Sequence, residues 1–582
     1  MAKVTYRPAI AASLAATLLA SCAVGPDFVS SAAPEVEGYT REHLAPYTSS
    51  TDTRFGQSEH FINGQEIPAE WWLAFRSPAV NALVKAAIEH NPNLQSTIAS
   101  LRAAKELVYA QQGKYFPFVQ ANFTPERVLT ASQISSPLAA PTSQLTNLYT
   151  AQVLVSYTFD TWGLNRRTVE SLQALADSQA FQVEAAYLML ISNLVGAAVQ
   201  EASLRAQIKA TYELIDINKK MLVVLRNQLK TGYENLIDVA AQEAQLAQIE
   251  ATLPPLRKAL AQQRDLISVL IGRYPSQEPL ETFRLTEMVL PTNLPVSLPA
   301  ALIEQRPDVR SAEEQLHSAS ALVGVAVANM LPNITISAGA GYTATSLAGL
   351  LTGPNLFWNV IGSATQPVFD GLTLLHEERS AQALYQAAAW TYRSTVLTAF
   401  QNVADALRAI QNDADALKAA RAFEKAAKVS LTLSQQQMQT GQANILFLLN
   451  AQITYQQAVL QVVQAQAARV SDVVALYTAL GGGWRNRLGA PAPELVLDAA
   501  TGQIRPLTGA GAIPPPVMIS PVLTTRADAS DPKPLADVAN LQPAAKKQAE
   551  KPDAVQPSRS FGVAANDSGD TSGGATSEGS KP

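Results

Sequence analysis

From Gly371 to Leu480 the chain contains no proline, although it has 35 in all, and the only interior glycine of that run is Gly441. From Gly163 to Leu253 proline is absent again, and the interior glycines are Gly196 and Gly232. Proline removes a backbone donor and clashes with the preceding turn, so stretches without it are where unbroken helix can form. In the second run Val396, Phe400, Val403, Leu407, Ile410, Ala414 and Leu417 step by four and three. Beyond Gly441, Leu446, Leu449, Ile453, Gln456, Leu460 and Val463 do the same. A spacing near 3.5 predicts a coiled-coil-like seam, with Ala and Gln packed closely around it. At 1.5 Å per residue, a helix from Gly163 to Gly232 reaches about 100 Å. That length suits a structure crossing a compartment, folded back at Thr231-Gly232 and Thr440-Gly441.

The chain also reads as one unit written twice. Asn91-Pro92-Asn93-Leu94 is echoed by Arg306-Pro307-Asp308-Val309, and Tyr115-Phe116-Pro117 by Met330-Leu331-Pro332. Phe159-Asp160 is echoed by Phe369-Asp370. Thr231-Gly232 with Asn235 is echoed by Thr440-Gly441 with Asn444, and Ile271-Gly272 by Leu480-Gly481. Each unit opens with a helix, roughly Ser77 to Gln112 and Arg310 to Asn329. Two strand-like runs follow, then a long helical hairpin. Ile334, Ile336, Ala338, Ala340 and Tyr342 alternate with Thr335, Ser337, Gly339, Gly341 and Thr343. Val153, Val155, Tyr157 and Phe159 alternate with Gln152, Ser156, Thr158 and Asp160, Leu154 being the exception. The other two runs are Phe116 to Phe123 and Asn355 to Phe369. Period two predicts strands, of about the 9–11 residues that a tilted transmembrane strand needs; a soluble sandwich shows the same pattern.

Lys3 and Arg7 precede the apolar stretch Ala9 to Ala20, which is too short to span a bilayer and reads as a signal-peptide core. Leu19-Ala20-Ser21-Cys22 then looks like a lipobox, and Cys22 is the only cysteine. The expectation is a signal peptide over 1–21 and a diacylglycerol-bearing, palmitoylated Cys22. Ala23 stands where an aspartate resembles an inner-membrane retention signal, which favours the outer membrane. Mean hydropathy of +0.03 excludes a polytopic helical membrane protein. A net charge of −5 without a basic face argues against nucleic acid. The five histidines have no metal-ligand spacing, and there is no nucleophile elbow, HExxH or phosphate loop, so neither an enzyme nor a cofactor is expected. Residues 491–582 hold 13 of the 35 prolines and one aromatic, Phe561, so the tail from 487 is expected to be disordered.

Four strands cannot close a barrel, and open edges are not tolerated in lipid. Bacterial barrels have at least about 8 strands, so transmembrane strands would have to be pooled between chains.

Cys22-Ala23-Val24-Gly25-Pro26-Asp27-Phe28, Trp71-Trp72 with Phe75 and Pro78, Asn91-Pro92-Asn93-Leu94, the paired Thr-Gly hairpins and Ala451-Gln452 resemble the TolC-like outer-membrane factors, in their OprM/NodT-like lipoprotein branch. The resemblance covers about residues 22–486. It implies a mainly α chain with transmembrane β, forming a homotrimer with a shared twelve-stranded barrel and a long periplasmic α-barrel. The units would be an anchor segment over 22–76, a first repeat over 77–290 and a second over 291–486. The implied role is the exit duct of a tripartite efflux system in the Gram-negative outer membrane, with a periplasmic adaptor and an inner-membrane pump as partners. Thr231, Gly232, Thr440 and Gly441 would turn the hairpins at the periplasmic tip that meets the adaptor. At the aperture, the family's acidic positions match Asn450 and Phe447, its apolar constriction matches Leu446, and only Asp238 keeps an acid. The bracing tyrosine and arginine of some members match Met438 and Ala443. The expectation is a gate sealed by Leu446 and Phe447 with weak cation attraction, against a reading in which both side chains pack between helices. Pro254-Pro255 should break the first returning helix and has no counterpart in the second unit. Two alternatives stand beside this: an exit duct for type I protein secretion, and a lipid-anchored periplasmic coiled-coil spacer.

Overall fold

A computed structural model describes residues 23–130 except 33 and 37, residues 144–487 except 441 and 443, and the backbone of two short strands beyond. Cys22, Gly441, Ala443 and almost all of the tail lie outside the described residues. After a long irregular N-terminal segment come strand β1 (His60–Asn63) and helices α1 (Pro78–His90) and α2 (Pro92–Gln112). Next are β2 (Phe118–Thr130), β3 (Gln144–Phe159), α3 (Leu164–Lys230), α4 (Leu236–Glu250) and α5 (Leu253–Leu270). The order then recurs: β4 (Asn293–Val296), α6 (Pro299–Gln305), α7 (Pro307–Asn329), β5 (Asn333–Ala344), β6 (Leu356–Thr365), α8 (Thr373–Gln439) and α9 (Ile445–Ala479). Strands β7 (Leu495–Leu497) and β8 (Ile504–Pro506) form an antiparallel pair in a stretch expected to have no structure. α3 and α8 each run 67 residues, about 100 Å of helix.

The paired sequence landmarks turn out to do paired jobs. Asp160 accepts the Asn165 and Arg166 amides, and Asp370 accepts the Leu372 and Leu374 amides, so both Phe-Asp sites supply acceptors at the start of a long helix. Asn91 Nδ2 donates to the Leu270 carbonyl and Arg306 Nη1 to the Ala479 carbonyl, tying each unit's opening to the end of its last helix. A Cβ on Gly272 would fall 2.2 Å from the His90 carbonyl oxygen, and one on Gly481 would fall 2.2 Å from that of Gln305.

Three expectations need correction. The first opening helix is two helices, because Pro92 offers no amide and holds Asn91 in extended backbone at φ −67, ψ 120. Its counterpart starts at Pro307 rather than Arg310. The seam of α9 is also displaced: Leu446 is exposed and Leu449, Ile453, Gln456, Leu460 and Val463 are half-buried, whereas Ile445, Leu448, Ala451, Gln452, Ala458 and Val462 are buried. Small residues allow closer packing there, which leaves the leucine row outside. The seam of α8 lies as the spacing predicts, with Val396, Val403, Leu407, Ile410, Ala414 and Leu417 buried. At Pro254-Pro255 the first return is split, α4 ending at Glu250 and α5 starting at Leu253.

The largest core lies where α1, α3, α5, α7, α8 and α9 meet, around Trp71, which stacks on Tyr477 at 5.4 Å between ring centroids. A second cluster, with Met221, Leu225, Val239, Met438 and Leu448, closes the hairpin ends.

Candidate functional site

Two regions bear on function: a four-stranded antiparallel sheet and the hairpin tips. The sheet order is β2-β3-β5-β6, leaving β2 and β6 as open edges. Its register makes one face almost wholly apolar and the other mostly polar. On one face Val153 pairs with Ala121 and Ala340, and Ala151 with Phe123 and Tyr342. Ala340 in turn opposes Trp358, and Ala338 opposes Val360. Ile334, Ile336, Val155, Tyr157, Phe159 and Leu356 continue that face. It is uncovered in the single chain, with Trp358 74% and Val360 63% exposed. On the other face lie Gln120, Asn122, Thr124, Thr150, Gln152, Ser156, Thr158, Thr335, Ser337, Thr343, Asn359 and Ser363, with Phe118, Leu154, Phe357 and Ile361 among them. The Thr158 and Thr335 hydroxyls are hydrogen-bonded at 3.1 Å, and those of Thr150 and Thr343 at 3.3 Å. A soluble sheet buries its apolar face on a core; an outer-membrane strand turns it to lipid and its polar face to a lumen. Among the described residues the apolar face meets no core of its own chain. The spacer reading has no use for such a sheet.

At the first tip, α3 ends in a Schellman motif. Tyr233 N donates to the Gln228 carbonyl at 2.9 Å and Gly232 N to that of Leu229 at 3.1 Å, with Gly232 at φ +77. The Thr231 hydroxyl donates to the same Gln228 carbonyl at 3.0 Å. The second tip repeats this. Thr440 Oγ1 donates to the Gln437 carbonyl at 3.0 Å, and Gln442 N to the same carbonyl at 2.8 Å. Asn235 and Asn444 cap the returning helices, accepting the amides of Asp238 and Leu446. These asparagines stood in the repeat pattern, and their spacing before an apolar run is the signal for the cap.

The aperture residues divide between the tips. Leu446 is 61% exposed and Phe447 70% exposed, so neither packs between this chain's own helices. Asn450 is exposed one turn further along the same helix. Asp238 sits in the first turn of α4, favoured there by the helix dipole, and touches Glu234. Desolvation, then the hydrogen bond and charge of Asp238, push the Glu234 carboxyl above its ordinary range. Met438, matched to a bracing position, is buried in the tip core. Sequence reasoning missed Tyr233, Leu236 and Ile237, all exposed at the first tip; the signal was that Ile237 stands 209 residues before Leu446. Among the described residues no group of His, Cys, Asp or Glu could hold a metal ion.

Comparison with known proteins agrees with this geometry. The family model described as outer membrane efflux protein matches residues 83–273 and again 298–482. The pyoverdine export outer membrane protein OpmQ of Pseudomonas putida is 26% identical over 432 residues, spanning 74% of this chain and 91% of that protein. The toluene efflux pump outer membrane protein TtgI, also of Pseudomonas putida, is 25% identical, spanning 70% of this chain and 86% of its own length. The solved outer-membrane channel OprN superposes with a TM-score of 0.71 at 25% identity, over 80% of this chain and 100% of that one. The chain belongs to the outer membrane efflux protein family and serves as an outer-membrane channel of an efflux system.

Proposed function

We propose that three copies of this chain pool their sheets into one closed barrel, with α3, α8 and the returning helices continuing the wall through the periplasm. One observation carries this reading: a sheet with one apolar face, one mostly polar face and two edges unpaired among the described residues, joined directly to two helices of 67 residues. Lipid admits no open edge, so edges β2 and β6 of neighbouring copies must meet. Four strands from each of three chains give twelve, within the range of bacterial barrels. The two units descend from an internal duplication, which the paired Asp160/Asp370 and Asn91/Arg306 contacts support. The duct does no bond chemistry. An inner-membrane pump drives the substrate and a periplasmic adaptor meets the tips formed by Thr231, Gly232, Thr440 and Gly441, beside the exposed Tyr233, Leu236 and Ile237. Leu446 and Phe447 seal the lumen by dewetting, with Asn450 and Asp238 giving weak cation attraction. Cys22 carries the lipid anchor that fastens the chain to the outer membrane.

The test is native mass spectrometry of the detergent-solubilised protein, with mass analysis of its N-terminal peptide and conductance in planar bilayers. A trimer that conducts, bearing an acylated Cys22, supports the reading. A stable monomer that needs no detergent overturns it.

A further inference from the structure

The N-terminal segment 42–59 lies as a strap across α8 and α9 and is gripped by long side chains from both. Arg408 Nε donates to Glu42 Oε1 at 2.8 Å, Gln411 to the Ala45 carbonyl at 2.8 Å and Arg421 to the Asp52 carbonyl at 3.0 Å, all from α8. From α9, Gln466 donates to Thr53 Oγ1 at 3.1 Å, and Arg469 donates to the Gln57 carbonyl at 3.2 Å and to Glu59 Oε2. The Arg469 and Glu59 side chains are 1% and 0% exposed. Directional bonds therefore fix the two helices to one another at this level. Toward the tip the hairpin is joined to α3 and α4 through the apolar cluster of Met221, Leu225, Val239, Leu431 and Leu448, and apolar packing is non-directional.

Gln452 is set into that second half, about 20 Å of helix beyond Gln466. Leu448, one turn before it, belongs to the cluster, and Tyr455, three residues on, packs against the cluster, so Gln452 shares their face. The residue is 2% exposed, out of reach of a neighbouring copy. Its Oε1 and Nε2 are both buried, and neither meets a hydrogen-bond partner among the described residues. The first hairpin treats the same stretch differently. Glu243, which stands 209 residues earlier, is exposed and accepts from Arg226 Nη2 at 2.7 Å. Gln242 beside it is buried, but its Nε2 donates to Asn218 Oδ1 at 2.9 Å and so staples α4 to α3. Gln452 staples nothing. A buried amide without partners has given up its bonds to water and received none in return. The packed hairpins carry that cost, and parting them far enough for water to reach the amide removes it.

We propose that Gln452 is a gating residue: a wedge that holds the packed tip close to balance, so that the end of the α8–α9 hairpin can part from α3 and α4 while the strap keeps the rest in place. The level of Arg421 and Gln466 is then the hinge. Leu446 and Phe447 stand within two turns of Gln452 on the same helix, so a movement that takes Gln452 out of the cluster carries them with it. This rests on the reading of Leu446 and Phe447 as the gate.

The experiment compares the full detergent-solubilised wild type with Gln452→Met, by single-channel recording in planar bilayers and by thermal unfolding. Methionine is as long and as unbranched as glutamine but has no hydrogen bonds to lose. Open probability is expected to fall at least about fivefold and the melting temperature to rise. A folded Gln452→Met protein with unaltered open probability, or with a lowered melting temperature, overturns the wedge. Hydrogen–deuterium exchange of the wild type needs no variant: residues 445–456 should open more readily than 466–477, and equal protection of the two overturns the hinge. Leu446→Ser in the same bilayers separates the wedge from the gate. An unaltered closed-state conductance there overturns the gate and the wedge with it, whereas an altered one beside an unaltered Gln452→Met overturns the wedge alone.

Discussion

Gly232 and Gly481 both hold left-handed backbone, at φ +77 and +89, yet they answer to different constraints. A Cβ on Gly232 would meet nothing within 4 Å, so Gly232→Ala costs only the conformational penalty, about 1 kcal/mol. Thermal unfolding should register a small shift with the channel intact. A Cβ on Gly481 would fall 2.2 Å from a backbone carbonyl oxygen, and Gly481→Ala is expected to abolish folding or to lower the melting temperature far more than Gly232→Ala. Arg469 marks another extreme. Arg469→Met leaves Glu59 buried without its cation and should cost about 3–5 kcal/mol, read as loss of folded protein in denaturant titration. Glu59→Gln keeps a neutral acceptor for the guanidinium and should cost less.

The long helices and the strands were legible in the sequence because their periods persist over many residues. The Val396-to-Leu417 seam needed no tertiary information. The α9 seam did: Leu446, Leu449 and Ile453 match the heptad as well as Ile445 and Leu448, and only the burial of the row with Ala451 and Ala458 decides between them. The grip on the strap was illegible for another reason, since Arg469 and Glu59 stand 410 residues apart and neither belongs to a motif. The tip sites were readable as turns, but that Leu446 and Phe447 are uncovered required coordinates. Being exposed, both can be changed without opening a cavity. Leu446→Ser and Phe447→Ser should raise closed-state conductance several-fold if the constriction is held by dewetting, and Asn450→Asp should shift reversal potentials toward cation selectivity. At Pro254-Pro255, the flanking Thr252 already lies near helical backbone at φ −78, ψ −19. Restoring the donors with Pro254→Ala and Pro255→Ala should therefore join α4 to α5, seen as slow amide exchange at 254–256.

At the scale of the whole molecule, the two bare edges of the β2-β3-β5-β6 sheet decide what a single copy is worth. In the proposed pooled barrel a chain never owns a finished pore; it owns one share of a wall that works only when every share is sound. That has a genetic signature. Co-expressed at equal levels with a copy that assembles but cannot open, random mixing within the proposed trimer would leave about one eighth of the channels wholly wild type. Half the gene dose would then be far milder than half the dose plus a faulty partner, so the harm of a mutation depends on whether its product can still find its neighbours.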